Sequence, residues 1–187
     1  MRHTPVQPMV KRLALFLVAA AYPLAGQRGP APRDWQEFVS RQGGYAVHFP
    51  KSWHVLAPPV PTLYICNFPP SQRVPAVIVP QNGATISVTP PPVGVDSAEQ
   101  WIGGVSAAIR VRSRKSTQLQ MAAPAPPLHI DEVIYLSTEG PDTTSWYFDV
   151  SGRVLRANLS YWEGDPREGE YRRVLADIVR TIIPLPR

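Results

Sequence analysis

Apolar and polar positions along the chain follow two periods, and the changes of period divide it into elements. Tyr45, Val47 and Phe49 alternate with other residues directly after the pair Gly43-Gly44, the mark of a half-buried strand leaving a turn. Pro50 has no N–H to give to a ladder, so pairing is expected to end there, and Trp53 soon brings a large apolar surface back into the fold. The stretch 34–40, on the other side of the glycines, predicts the partner strand of a hairpin. Segments 53–56, 63–68, 74–79 and 84–89 are short, β-branched or aromatic, and most are bounded by Pro, Gly or Asn, as strands are. Asn82-Gly83 is a turn signal before the last of them.

The period then lengthens to that of a helix. Ser97 with Gln100 has the form of a capping box, and Trp101, Ile102, Val105, Ala108 and Ile109 follow as one apolar stripe. Gly103 and Gly104 each weaken such a helix by roughly 1 kcal/mol relative to Ala, so packing is expected to hold it. A basic segment comes next, then strands at 116–121 and 128–137 with a proline-rich connection between them.

The clearest hairpin lies late in the chain, at 145–150 and 153–162 about the pair Ser151-Gly152. A two-residue turn there sets Phe148 opposite Leu155 and Trp146 opposite Ala157. One face then carries Trp146, Phe148, Leu155, Ala157, Leu159 and Tyr161, a core face. The other carries Tyr147, Asp149, Val154, Arg156, Asn158, Ser160 and Trp162. The chain closes on a second helical stripe of Tyr171, Val174, Leu175, Ile178, Val179 and Ile182, with Asp165 as its expected cap, Pro166 in the first turn and Pro184 as its stop. Strand runs joined by turns, with two amphipathic helices, predict an antiparallel α+β domain rather than a parallel doubly wound one.

Composition changes this picture at the N-terminus. Lys11-Arg12, the apolar run 13–21 and small residues up to Ala25-Gly26 read as a secretory signal peptide, with cleavage expected between Ala21 and Gln27. The run is too short to span a membrane, which takes about 20 apolar residues. The expected organisation is a signal peptide at 1–26, a flexible lead-in at 27–33 and a single domain at 34–187, exported to the periplasm or beyond. Arg2, Lys11 and Arg12 leave with the signal, so 16 of the 19 basic groups remain against 14 acidic ones, and a net charge of +5 falls to +2. That removes most of the electrostatic case for a nucleic-acid partner. The 23 prolines, about 12% of the 187 residues, fall between apolar segments and read as rigid connections. With one cysteine, no internal disulfide is available.

The run Gly44-Tyr45-Ala46-Val47-His48-Phe49-Pro50-Lys51-Ser52-Trp53 resembles the entry strand of the PsbP-like fold, and the order of elements is similar too: a capped mid-chain helix, a late aromatic hairpin and an amphipathic last helix. The resemblance covers roughly 34–183 and implies an antiparallel sheet sandwiched by helices. The family includes thylakoid-lumen photosystem proteins and domains of bacterial envelopes, and it brings no catalytic residues to carry over. No lipobox cysteine is present.

Motif chemistry is sparse. His129 and Asp131 alternate on one strand face, but His48 and His54 have no spacing that would recruit them to a metal, which needs three or four ligands. Ser52 with His54, or Ser160 with any histidine, lacks the G-x-S-x-G elbow of a serine hydrolase. Cys66, in an apolar strand, reads as a small hydrophobe. Asn158-Leu159-Ser160 matches a glycosylation acceptor but falls inside a strand. Two surfaces remain as candidates for a partner: the basic cluster Arg110, Arg112, Arg114 and Lys115, and the polar hairpin face at Tyr147, Arg156, Asn158 and Trp162. The expectation is a non-catalytic exported module without a cofactor, binding an envelope protein or an anionic surface. A hydrolase assembled around His129 and Asp131 and a structural accessory subunit of an envelope complex are the alternatives.

Overall fold

The computed structural model describes residues 32–56, 61–70, 79–137 and 140–186. The signal segment, most of the lead-in and nearly all of the strand expected at 74–79 lie outside them. Strands β1 (Trp35–Ser40) and β2 (Tyr45–Pro50) form the first hairpin, with Ser40 opposite Tyr45. Strands β3 (His54–Val55), β4 (Leu63–Cys66) and β5 (Ala84–Thr89) follow, then helix α1 (Ala98–Ser106). Next come β6 (Val111–Leu119), β7 (Leu128–Tyr135), β8 (Asp142–Asp149) and β9 (Val154–Tyr161). Helix α2 (Glu168–Arg180) and the short β10 (Ile183–Pro184) close the chain. One sheet runs β3-β4-β5-β9-β8-β7-β6, every neighbouring pair antiparallel, and a smaller one runs β1-β2-β10. This is the antiparallel α+β architecture that the sequence predicts, with one helix on each face of the large sheet.

The late hairpin has the predicted register, Trp146 opposite Ala157 and Phe148 opposite Leu155. Its turn places both Ser151 and Gly152 at positive φ, 56° and 77°, the primed-turn geometry whose twist matches that of the flanking strands. Trp146, Phe148, Leu155, Ala157, Leu159 and Tyr161 enter the main core together with Leu63 and Ile65 of β4 and Ala84, Ile86 and Val88 of β5. Helix α2 lays Tyr171, Leu175, Ile178 and Val179 onto this face, all fully buried. Beside it, β2 adds Tyr45, Val47 and Phe49. The Tyr45 hydroxyl donates to Val88 O at 2.7 Å and accepts from Leu63 N at 3.0 Å, which ties the small sheet to the large one.

Four local expectations change. The basic segment is not a connection: Arg112, Arg114 and Lys115 lie inside β6, which starts at Val111 rather than Ser116. A strand at the sheet edge tolerates charges that a central strand would not. Helix α1 ends at Ser106, leaving Ile109 beyond it and exposed. Asp165 caps the turn that precedes α2, accepting from Arg167 N at 2.8 Å, while the N-cap position itself is Arg167. Pro184 lies past the helix end, in β10, which pairs with β2 through Ile183 opposite Ala46.

Candidate functional site

The face of the large sheet opposite α2 is built differently. Strict alternation puts the apolar residues of β5, β8 and β9 into the core, so their intervening residues must share the other face. Those residues are Thr85 and Ser87 of β5, Thr143 and Ser145 of β8, and Asn158 and Ser160 of β9, joined by Tyr64 of β4. They line a shallow depression of about 250 Å³ together with Thr62, Ser145 standing at its α1 side. Their polar atoms are largely paired with one another. The Thr143 and Ser160 hydroxyls meet at 2.8 Å, Ser145 Oγ donates to Asn158 Oδ1 at 2.7 Å, and Asn158 Nδ2 donates to Ser87 Oγ at 3.2 Å. Such a network holds the side chains in fixed orientations while each hydroxyl keeps spare hydrogen-bonding capacity.

Helix α1 covers one end of this face. Trp101 packs edge-on against Tyr147, 5.6 Å between ring centres at 77°, and Trp101 and Ile102 form a small cluster with Val133, Tyr135 and Tyr147. The Tyr135 and Tyr147 hydroxyls are 2.9 Å apart. Burial, followed by the bond to Tyr147, pushes the Tyr135 phenol well above its usual range. Ser97 caps α1 as expected, its Oγ accepting from Gln100 N at 3.1 Å, while the Gln100 side chain reaches back past it to Asp96 N and Gly94 O.

This arrangement corrects part of the sequence reading. Tyr147 is fully buried beneath α1 and offers no surface to a partner. Arg156 is half-buried with its guanidinium 4.8 Å from the centre of the Trp101 ring, and Asn158 sits in the hydroxyl network. Trp162 remains partly exposed but donates its indole N–H to Val79 O at 2.6 Å. The basic cluster is largely compensated. Arg112 pairs with Glu163 at 2.7 Å and Asp142 at 3.3 Å, Arg114 with Glu99 and, at 3.9 Å, Asp131, and Lys115 with Glu132 at 3.1 Å. Only Arg110 of the four carries no ion pair among the described residues.

His129 and Asp131 do share a face of β7, with His129 Nε2 3.7 Å from Asp131 Oδ2. Ser116 Oγ donates to the other Asp131 oxygen at 2.7 Å. The carboxylate thus stands between hydroxyl and imidazole, whereas general-base activation needs the imidazole against the nucleophile. His129 is exposed and lines a cavity of about 470 Å³ formed mainly by Met121, the prolines of 124–127, Val150 and Ile183. Among the described residues no three His, Cys, Asp or Glu side chains are placed to hold a metal ion. Cys66 is fully buried, donates to Phe68 O at 3.0 Å, and has its thiol pushed up by burial. No helix of the described residues is long and apolar enough to cross a membrane, which says nothing of β-barrels.

The residues that sequence reasoning missed are Tyr64, Thr85, Ser87, Thr143 and Ser145. The alternation Thr85-Ile86-Ser87-Val88-Thr89 was the available signal for β5.

Fold and site together define an antiparallel α+β protein with one apolar and one hydroxyl-lined sheet face. No family model and no curated protein matches the chain. Among solved structures it is similar to cyanobacterial PsbP from Synechocystis sp. PCC 6803, at 10% identity and a TM-score of 0.44, over 87% of this chain and 99% of that one. A protein from Bacteroides thetaiotaomicron VPI-5482 is similar at 11% identity and a TM-score of 0.46, over 82% of this chain and 49% of that one. The chain thus spans about half the length of the Bacteroides protein. A Pseudomonas aeruginosa protein of unknown function matches at 12% identity and a TM-score of 0.41, over 82% and 99%.

Proposed function

We propose that the chain is a non-catalytic exported binding or accessory module that holds its partner on the hydroxyl-lined face of the large sheet. The observation that supports this is the Ser145–Asn158–Ser87 network, fixed across three strands on a face that, among the described residues, α1 packs against at one end. A surface of pre-oriented, partly satisfied hydroxyls and an amide suits recognition by hydrogen bonding, because little side-chain freedom is lost on contact. Export rests on the basic, apolar and small-residue order of 1–26. The hydrolase alternative would need a nucleophile against His129, where the carboxylate of Asp131 stands instead.

The test fills the depression without touching the core. Ser87→Trp should leave thermal stability close to wild type and abolish capture of the partner from an envelope fraction, while Arg112→Ala, in the charge-compensated edge strand, should capture it normally. Equal capture by the wild type and Ser87→Trp would exclude this face.

A further inference from the structure

We propose that the cavity between α1 and the sheet binds a small organic carboxylate, with Arg156 as its counter-ion. The inference rests on the reading that this face is a binding surface and names the ligand class at its α1 end. Arg112, Arg114, Arg167, Arg172 and Arg180 each have a carboxylate partner within ion-pair distance. Arg156, half-buried in the middle of β9, has none among the described residues. Its Nε is buried with no hydrogen-bond partner among the described residues, and its guanidinium lies 4.8 Å from the centre of the Trp101 ring, with the Tyr135 phenol near enough to feel its charge. A guanidinium carries five N–H donors and no acceptor, and removing it from water without an anion is unfavourable. Stacking on an indole offsets only part of that cost.

Beside this cation lies a cavity of about 360 Å³ whose lining is two-sided. Ser145 and Asn158 stand with Arg156 on the sheet side, whereas Val105, Ile109 and Pro141 supply an apolar wall. The volume falls at the lower end of the range for small-molecule pockets. The planar fork of a guanidinium fits a carboxylate by two parallel hydrogen bonds, and the Ser145 and Asn158 donors already engaged with neighbours leave Arg156 as the dominant free donor. The apolar wall has nothing to offer an inorganic anion but would desolvate a short hydrocarbon body. The two halves together select an anion with an apolar tail of a few carbons.

The experiment is an amide NMR titration of the purified protein with hexanoate, hexanol and inorganic phosphate in parallel. Hexanoate should shift the resonances of Thr143, Arg156 and Asn158 saturably, and hexanol and phosphate should bind at least roughly tenfold more weakly, a difference of about 1.4 kcal/mol. Arg156→Gln should weaken hexanoate by at least roughly tenfold, with Arg156→Lys retaining part of the binding. Ile109→Trp, at an exposed position beyond α1, should block the cavity in a folded protein even if Arg156→Gln unfolds. No saturable shift with hexanoate, equal binding of hexanol, or unchanged affinity in either Arg156→Gln or Ile109→Trp would overturn the proposal. Absent hexanoate binding alongside a partner capture that Ser87→Trp abolishes would remove this ligand and leave the binding-module reading in place.

Discussion

The two faces of the large sheet use the same strands for opposite ends. On the α2 side the alternate residues of β4, β5, β8 and β9 are mostly apolar, Thr144 being a polar exception, and α2 with β2 closes over them into one continuous core. On the α1 side Trp101 and Ile102 cover Val133, Tyr135 and Tyr147, and β5, β8 and β9 contribute hydroxyls and an amide, of which Thr85 and Ser145 are also buried. A face that must hold the fold together is filled without gaps, because each missing methylene is felt. A face released from that duty can keep polar groups, a half-buried cation and cavities. The candidate site lies where the core is incomplete.

The largest expected effect belongs to the α2 side. Leu175→Ala, at a fully buried position between α2 and the sheet, should destabilise by about 2–5 kcal/mol in denaturant unfolding. A loss within the error of the measurement would mean that α2 is not the principal cover of the core. Somewhat less is expected at Glu132, an acid buried on that side. Glu132 is 4% exposed and accepts from Trp146 Nε1 at 2.7 Å and Arg172 at 3.1 Å, with Lys115 at its other oxygen. Glu132→Ala leaves the buried Trp146 indole N–H without an acceptor, while Arg172 keeps Glu168, and should cost about 2–3 kcal/mol, below the range for breaking a fully buried pair. Glu132→Gln, which can still accept from Trp146, should cost less.

On the α1 side the expected sign reverses. A Cβ added at Gly103 or Gly104 meets no heavy atom within 4 Å, and neither residue has a positive φ. Gly103→Ala and Gly104→Ala should therefore each stabilise by about 0.4–1 kcal/mol and raise hydrogen-exchange protection within α1. Destabilisation by either would show that the helix needs its glycines. The smallest effect concerns pH, and both faces contribute to it. Burial raises the phenols of Tyr45, Tyr161 and Tyr171 on the core side and of Tyr135 under α1. A raised folded value favours the protonated form, so this stability is complete below the unfolded value of about 10 and is lost as pH rises through the higher folded values. Unfolding free energy measured against pH should be insensitive to these groups near neutrality and decline above about pH 10. A flat profile there would place the phenols in water.

What the sequence determined alone is local. The period-two pattern of 145–162 specifies which residues of the late hairpin face the core, and Ser151-Gly152 sets its register, because a two-residue primed turn admits one pairing. The stripe from Tyr171 to Val179 specifies the buried side of α2 in the same way. The candidate site was legible only in part. Asn158 and Arg156 could be placed on the polar side of β9, yet nothing near them in sequence names Ser87, 71 positions away, as the hydroxyl that Asn158 meets. Nor could local pattern tell that α1 would close over Tyr147, or that Glu99, Asp142 and Glu163 would gather on Arg112 and Arg114. Periodicity fixes the face a residue occupies, but that β5 becomes the neighbour of β9 within the order β5-β9-β8-β7-β6 is set by long-range pairing. Only that pairing decides which polar groups are neutralised, which are covered, and that Arg156 is left half-buried with its Nε unpartnered among the described residues.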